Sequence, residues 1–166
     1  MSSAAVAEAE KILYRANQSL EQGEVDAAID ILQELIGIYP EFGKAYSTLG
    51  TIYFYRFNDQ LNAEINLKKS VNLTPDFSPA YLTYADLLIQ QENYTQAISI
   101  LNKASSLPGV KKDKINYFFG LMNELQSKFD DAISFYKKAI AVTLSDDDIV
   151  KFEKAMNRCV IKKKYV

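Results

Sequence analysis

The chain has 166 residues, a formal net charge of −2 and 48% hydrophobic residues, which is typical of a folded protein and excludes extended disorder. It contains no His and one Cys, which excludes His-dependent acid–base catalysis, His-containing zinc sites and an internal disulfide. Six Gly and four Pro are few for a turn-rich β-protein, so the composition favours helices.

The first ten residues predict the start of a helix. They contain no basic segment followed by an apolar run, so they do not resemble a signal peptide. No stretch of 18 apolar residues predicts a membrane span anywhere in the chain. We therefore expect a cytoplasmic protein with no membrane-spanning segment.

A period of 34–35 residues runs through most of the chain. Two series of small residues keep this spacing: Ala16, Gly50, Ala85 and Gly120, and Ala28, Ala63, Ala97 and Ala132. Apolar residues recur around them every three or four positions, which predicts two helices per unit. Small residues let paired helices cross closely, so we expect Ala16 to face Ala28 and Gly120 to face Ala132.

Four units are predicted in order, at about 9–42, 43–77, 78–111 and 112–145. Pro40, Pro75 and Pro108 end three of them, because proline cannot continue a helix. The distance from the small residue to the alanine is one residue longer in the second unit. We place this insertion in the internal turn, within residues 56–60, where added length costs little.

A ninth helix is predicted at about 147–163. Asp146–Asp148 would cap its start, and an apolar stripe would follow, consisting of Ile149, Phe152, Met156, Cys159 and Val160. A terminal repeat exposes an apolar face, so we expect this helix to cover the fourth unit. The alternative is that it occupies a groove on another copy of the chain, which would produce a homo-oligomer.

The units resemble the tetratricopeptide repeat (TPR) family. The second unit matches its 34-residue pattern through Tyr46, Leu49, Gly50 and Tyr53, followed by Ala63, Leu67 and Pro75. The resemblance covers about residues 9–145. It implies an all-α fold: a right-handed α-solenoid of four helix–turn–helix repeats plus a C-terminal capping helix, in a single domain spanning 1–166.

The resemblance also implies a binding surface. In TPR proteins the first helices of the repeats line a concave groove that holds extended or helical peptides. The corresponding positions here are Leu13, Asn17 and Leu20; Ser47, Thr51, Phe54 and Tyr55; Leu82, Asp86, Ile89 and Gln90; and Tyr117, Leu121 and Glu124. Their aliphatic and aromatic side chains predict apolar anchoring of a partner.

A known subtype of the family is not matched. TPR proteins that grip a chaperone's C-terminal carboxylate use Lys, Asn and Arg at five groove positions. Here those positions hold Leu13, Asn17, Thr48, Pro79 and Thr83, so only one residue agrees. A carboxylate groove needs cationic donors, and this chain is not expected to form one.

The expected function is therefore a non-catalytic scaffold or adaptor that binds a protein or peptide partner. No motif predicts an enzyme, a cofactor, a metal site or a nucleic-acid partner. Two alternatives stay open: a homo-oligomeric, self-assembling protein whose groove accepts a terminal helix of another copy, or a chaperone for secretion substrates. Residues 1–83 carry 11 acidic and 6 basic residues, against 10 and 13 in residues 84–166, and no partner explains this asymmetry.

Overall fold

The computed structural model describes residues 1–166. It contains nine α-helices and no strand, followed by a 3₁₀ turn at Lys163–Tyr165. The helices are α1 (Ser3–Glu21), α2 (Val25–Ile38), α3 (Gly43–Tyr55), α4 (Gln60–Leu73), α5 (Ser78–Gln90), α6 (Tyr94–Ser105), α7 (Lys112–Leu125), α8 (Phe129–Val142) and α9 (Asp146–Lys162). The all-α fold class predicted from the sequence is confirmed.

The turns inside the helix pairs share one backbone device. Each contains a residue with a left-handed backbone: Gly23, Asn58, Glu92 or Ser127, with φ between 52° and 82°. In three pairs the next N–H donates to the carbonyl five residues earlier, as from Asn93 to Leu88. In the second pair Asp59 donates to Tyr53, six residues earlier. The extra residue therefore lies in the α3–α4 turn, as the spacing predicts.

The chain forms two compact units, Met1–Leu87 and Leu88–Val166. In the first unit α1 packs against α2, and α3 packs against α4. A core of small and aliphatic side chains joins the first three helices, including Ala16, Leu32, Leu35, Leu49 and Ile52. The prediction that residues 1–166 form a single domain stays a prediction.

Two tyrosines of the first unit, on α3 and α5, form hydrogen bonds to the prolines that precede those helices. Tyr46 donates its hydroxyl proton to the carbonyl oxygen of Pro40 at 3.1 Å, and Tyr81 does the same to Pro75 at 3.0 Å. Both rings are buried, so their hydroxyls need partners, and a carbonyl at a helix end is free to accept. The aromatic and proline positions of the repeat therefore work as a pair.

Two glycines allow close helix crossings. A Cβ at Gly50 would lie 2.6 Å from Cγ of Leu67, and one at Gly120 would lie 2.6 Å from the ring of Tyr136. The side chain that excludes a Cβ at Gly120 is thus Tyr136. That Gly120 faces Ala132 stays a prediction. The large ring sits directly over the helix backbone, where only glycine leaves room.

In the second unit α9 packs against α8. Its buried residues are Phe152, Ala155 and Cys159. Val160 is exposed, so its predicted place in the apolar stripe is wrong. The cap also differs from the prediction. Ser145 is the N-cap and accepts a hydrogen bond from the N–H of Asp148 at 3.2 Å, while Asp146–Asp148 form the first helical turn.

Candidate functional site

The first unit contains an open cavity of about 340 Å³. Six residues line it, and we call it the unit 1 pocket: Leu20, Thr48, Thr51, Ile52, Tyr55 and Arg56. Three of these, Leu20, Thr51 and Tyr55, belong to the surface predicted from the sequence. The lining combines an apolar face with hydroxyl groups and one guanidinium, a composition suited to an apolar side chain flanked by polar atoms.

Tyr55 is the one aromatic residue among the six that line this pocket. It lies in the last turn of α3 and is 55% exposed. Its hydroxyl donates to the Oδ2 atom of Asp86 on α5 at 2.6 Å. The hydrogen bond fixes the orientation of the ring while the ring stays exposed. Because the side chain is already ordered, its immobilisation by a partner costs less conformational entropy.

The threonine at the pocket is oriented by its own helix. Thr51 Oγ1 donates to the carbonyl oxygen of Ser47 at 2.8 Å, so its methyl group and hydroxyl oxygen have fixed positions. Ser47 itself is buried. The hydroxyl oxygen of Thr51 keeps its capacity to accept a hydrogen bond from a partner.

The structure places the predicted residues in two groups. Five are buried and present little surface to a partner: Leu13, Ser47, Phe54, Ile89 and Glu124. The others are exposed or half-buried: Asn17, Leu20, Thr51, Tyr55, Leu82, Asp86, Gln90, Tyr117 and Leu121. Leu13 lies in the core of the first unit, because α1 turns that side chain toward α2 and α3.

In the second unit α9 covers part of the predicted surface. The ring of Tyr117 stacks on Phe152, with centroids 5.2 Å apart and planes at 27°. The ammonium of Lys151 lies 4.3 Å from the centre of the same ring. Tyr117 therefore packs between α7 and α9.

Glu124 lies at the centre of a polar network, and its side chain is 2% exposed. Its Oε1 atom accepts from Nε of Arg158 at 2.5 Å and Nζ of Lys162 at 2.9 Å. Its Oε2 atom accepts from the second guanidinium nitrogen at 2.7 Å and the hydroxyl of Tyr136 at 2.9 Å. Burial opposes ionisation, but these hydrogen bonds outweigh it and lower the pKa of Glu124 to about 2.

A second ion pair links α7 to α9, between Lys114 and Asp148. Both pairs join residues 34 positions apart, as does the pair between Glu10 and Lys44, at 2.5 Å in the first unit. In each of these ion pairs the two opposite charges lie one repeat length apart in the sequence, on α1 and α3 or on α7 and α9. Sequence reasoning missed these contacts and placed Glu124 on the binding surface, although opposite charges at a separation of 34 were a usable signal.

Two segments of the chain match family models described as tetratricopeptide repeat, residues 12–41 and 78–109. Solved TPR-type structures agree with the fold. PilF of Pseudomonas aeruginosa superimposes with a TM-score of 0.83 at 15% identity, covering 98% of this chain and 72% of that one. A thermophilic TPR protein from Thermus thermophilus gives 0.73 at 20% identity, covering 89% and 81%. The chain is a tetratricopeptide-repeat protein.

A third neighbour is MamA from Desulfovibrio magneticus RS-1, with a TM-score of 0.74 at 17% identity and coverage of 94% of this chain and 85% of that one. No curated protein matches the chain by sequence. At these sequence identities the solved structures establish only the fold of this TPR protein. The TPR fold supports a general role as a protein-interaction scaffold, and TPR proteins are generally non-catalytic.

The single thiol of this TPR protein lies in the core. Cys159 is fully buried between α9 and its neighbours, and burial raises the pKa of the thiol to about 11. A protonated, inaccessible thiol is a poor nucleophile. The structure also contains no cluster of three or more potential metal-ligating Cys, Asp or Glu residues, and none of its helices combines the length and apolarity that a membrane crossing requires.

Proposed function

We infer that this TPR protein is a non-catalytic scaffold that binds an apolar segment of a protein partner at the unit 1 pocket. The observation that carries the proposal is the fixed, half-exposed ring of Tyr55 beside Leu20 and Ile52. An aromatic residue of this kind can supply about 2 kcal/mol or more of binding free energy when a partner buries it.

The polar groups at the pocket favour one chemistry for the bound segment. Arg56 is exposed, and Thr48 and Thr51 line the pocket beside it. We therefore expect a Leu, Ile, Met or Phe side chain in the cavity, followed by an acidic or amide side chain near Arg56. A cytoplasmic location and the lack of a nucleic-acid partner belong to the same proposal.

The proposal is tested by selecting binders from a displayed peptide library on the immobilised protein. The selected peptides are then measured by fluorescence anisotropy against Tyr55→Ala and Leu20→Asp. We expect each substitution to weaken binding at least tenfold, because a tenfold change corresponds to about 1.4 kcal/mol.

Tyr14→Ala is the matched control, because Tyr14 is an exposed tyrosine of α1 that does not line the pocket. Its affinity for the selected peptides should equal that of the wild type. Peptides that bind Tyr55→Ala and Leu20→Asp with unchanged affinity would place the binding surface elsewhere and overturn the assignment.

A further inference from the structure

The second helices of the four repeats offer an internal comparison of surface positions. Each carries a buried alanine, with surface positions two places before and two places after it. Three repeats have polar side chains there: Asp26 and Asp30, Thr95 and Ser99, and Asp130 and Ser134. The second repeat has Leu61 and Ile65, which are 71% and 55% exposed.

This substitution pattern marks the outer face of α4 as different from its three equivalents. The polar pairs are hydrated without a free-energy penalty, whereas Leu61 and Ile65 expose adjacent apolar surface to water, which is unfavourable. Phe57, in the turn that leads into α4, is half exposed as well. The same turn carries the extra residue of the array, so two departures from the repeat pattern occur at one place. Together Phe57, Leu61 and Ile65 form what we call the α4 stripe.

Two of the three charges beside the α4 stripe form a self-complementary pair, and the third, Lys69, lies over the ring of Tyr46. Glu64 and Lys68 lie on one flank of the stripe and form an ion pair at 2.8 Å within the helix. If two such helices pair in antiparallel orientation about a two-fold axis near Asn66, midway between Glu64 and Lys68, the same flanks meet. Glu64 then lies opposite the partner's Lys68, and Lys68 opposite the partner's Glu64.

We propose that the α4 stripe is a self-association surface, on which α4 pairs with α4 of a second copy of this chain. The proposal is independent of the unit 1 pocket. A partner with a uniformly acidic or basic helix would face repulsion from either Glu64 or Lys68, whereas an identical antiparallel helix satisfies both. Ile65 then lies beside the partner's Ile65, and Leu61 lies toward the end of the contact.

The surface is too small for a permanent dimer. Stable interfaces bury about 1,200–2,000 Å² in total, and three half-exposed side chains from each copy supply less. The dimer is therefore weak and depends on protein concentration.

Sedimentation equilibrium of the full chain tests the proposal over a concentration series that reaches about 1 mM. The wild type should show a reversible monomer–dimer equilibrium. The double variant Leu61→Thr with Ile65→Ser copies the residues of the third repeat, and it should remain monomeric with unchanged helicity. Ile98→Ser, at another exposed aliphatic residue, is the matched control and should dimerise like the wild type.

A charge exchange tests the antiparallel geometry. Glu64→Lys alone places Lys opposite Lys, and Lys68→Glu alone places Glu opposite Glu, so each variant should be monomeric. An equimolar mixture should form heterodimers, because both contacts become attractive. A wild type that stays monomeric at about 1 mM, or a dimer that survives the Leu61→Thr/Ile65→Ser change, would overturn the proposal. A wild-type dimer without recovery in the mixture would overturn the antiparallel arrangement.

Discussion

Glu124 and Arg158 form a two-point ion pair between residues that are one repeat length apart in the sequence, and the carboxylate is almost fully buried. The pair joins the fourth repeat to the helix that ends the array. Lys162 and Tyr136 are the remaining donors, so each carboxylate oxygen of Glu124 accepts two hydrogen bonds. This network positions α9 directionally, which apolar packing alone does not do.

Glu124→Gln should destabilise the second unit by about 1–3 kcal/mol. The amide keeps the shape of the side chain, but it cannot accept at both ends, and it leaves the cations of Arg158 and Lys162 without a counter-charge. Chemical denaturation followed by circular dichroism measures the loss.

The control is Asp130→Asn, which removes the exposed ion pair with Lys163. Exposed pairs contribute about 0–1 kcal/mol, so this variant should unfold almost like the wild type. Equal losses in the two variants would contradict a structural role for the Glu124 network.

The same carboxyl makes stability depend on pH. Its pKa is about 2 in the folded protein and near 4.5 in an unfolded chain, so between about pH 4.5 and 2 the unfolded state takes up the proton and the folded state does not. The contribution of Glu124 is therefore complete above about pH 4.5 and is lost as the pH falls toward 2. Unfolding free energies of the wild type and Glu124→Gln should differ at pH 7 and converge near pH 2. A difference that stays constant over this range would contradict the lowered pKa.

Tyr117→Ala should reduce the stability of the fold, whereas Tyr55→Ala should leave it nearly unchanged. Tyr117 stacks on Phe152 beneath Lys151, so its removal leaves a gap under α9 and should cost about 3 kcal/mol or more. Tyr55 is more than half exposed, and its removal should cost less than about 1 kcal/mol. Hydrogen exchange of α9 amides should accelerate in the first variant only.

Gly120→Ala should destabilise the protein by about 1–3 kcal/mol, because the added Cβ collides with the ring of Tyr136. That ring cannot move away easily, since its hydroxyl is bonded to Glu124. Gly37→Ala is the control, and its effect on the free energy of unfolding should have the opposite sign. No atom lies within 4 Å of a Cβ at Gly37 in α2, so alanine should stabilise the helix by about 0.4–1 kcal/mol. Melting temperatures of both variants test the contrast.

Ser70→Ala should leave stability unchanged or raise it by up to about 1 kcal/mol. The hydroxyl of Ser70 is fully buried and has no hydrogen-bond partner. Its equivalents in the other repeats are Leu35, Ala104 and Ala139, so the site accepts an apolar side chain. Denaturant titration that shows a loss of more than about 1 kcal/mol would indicate an unrecognised partner for the hydroxyl.

The sequence predicted the helices well because the repeat supplies four copies of each signal. Gly50 and its equivalents are small for a steric reason, so their spacing identified the helix pairs and the inserted residue in the α3–α4 turn. The burial of individual surface positions was harder to predict. Leu13 and Phe54 occupy family groove positions, yet their burial depends on packing within α1 and α3 and on the helices next to them.

Long-range polar contacts were the main omission. The bond from Tyr55 to Asp86 and the network at Glu124 connect residues 31 and 34 positions apart, and helical periodicity carries no information about such distances. The family pattern assigned Glu124 to a ligand surface, whereas Arg158 of the terminal helix occupies it. A search for opposite charges at one repeat length would have identified this contact.

The Glu124 network also makes the contact of α9 specific to the fourth repeat. The positions equivalent to Glu124 in the three preceding repeats are Leu20, Phe54 and Ile89, none of which is acidic. Loss of residues 112–145 by recombination between repeats would align Arg158 and Lys162 with an aliphatic side chain. The shortened product would lose the three hydrogen bonds that Arg158 and Lys162 donate to Glu124, so α9 would bind the remaining repeats less tightly.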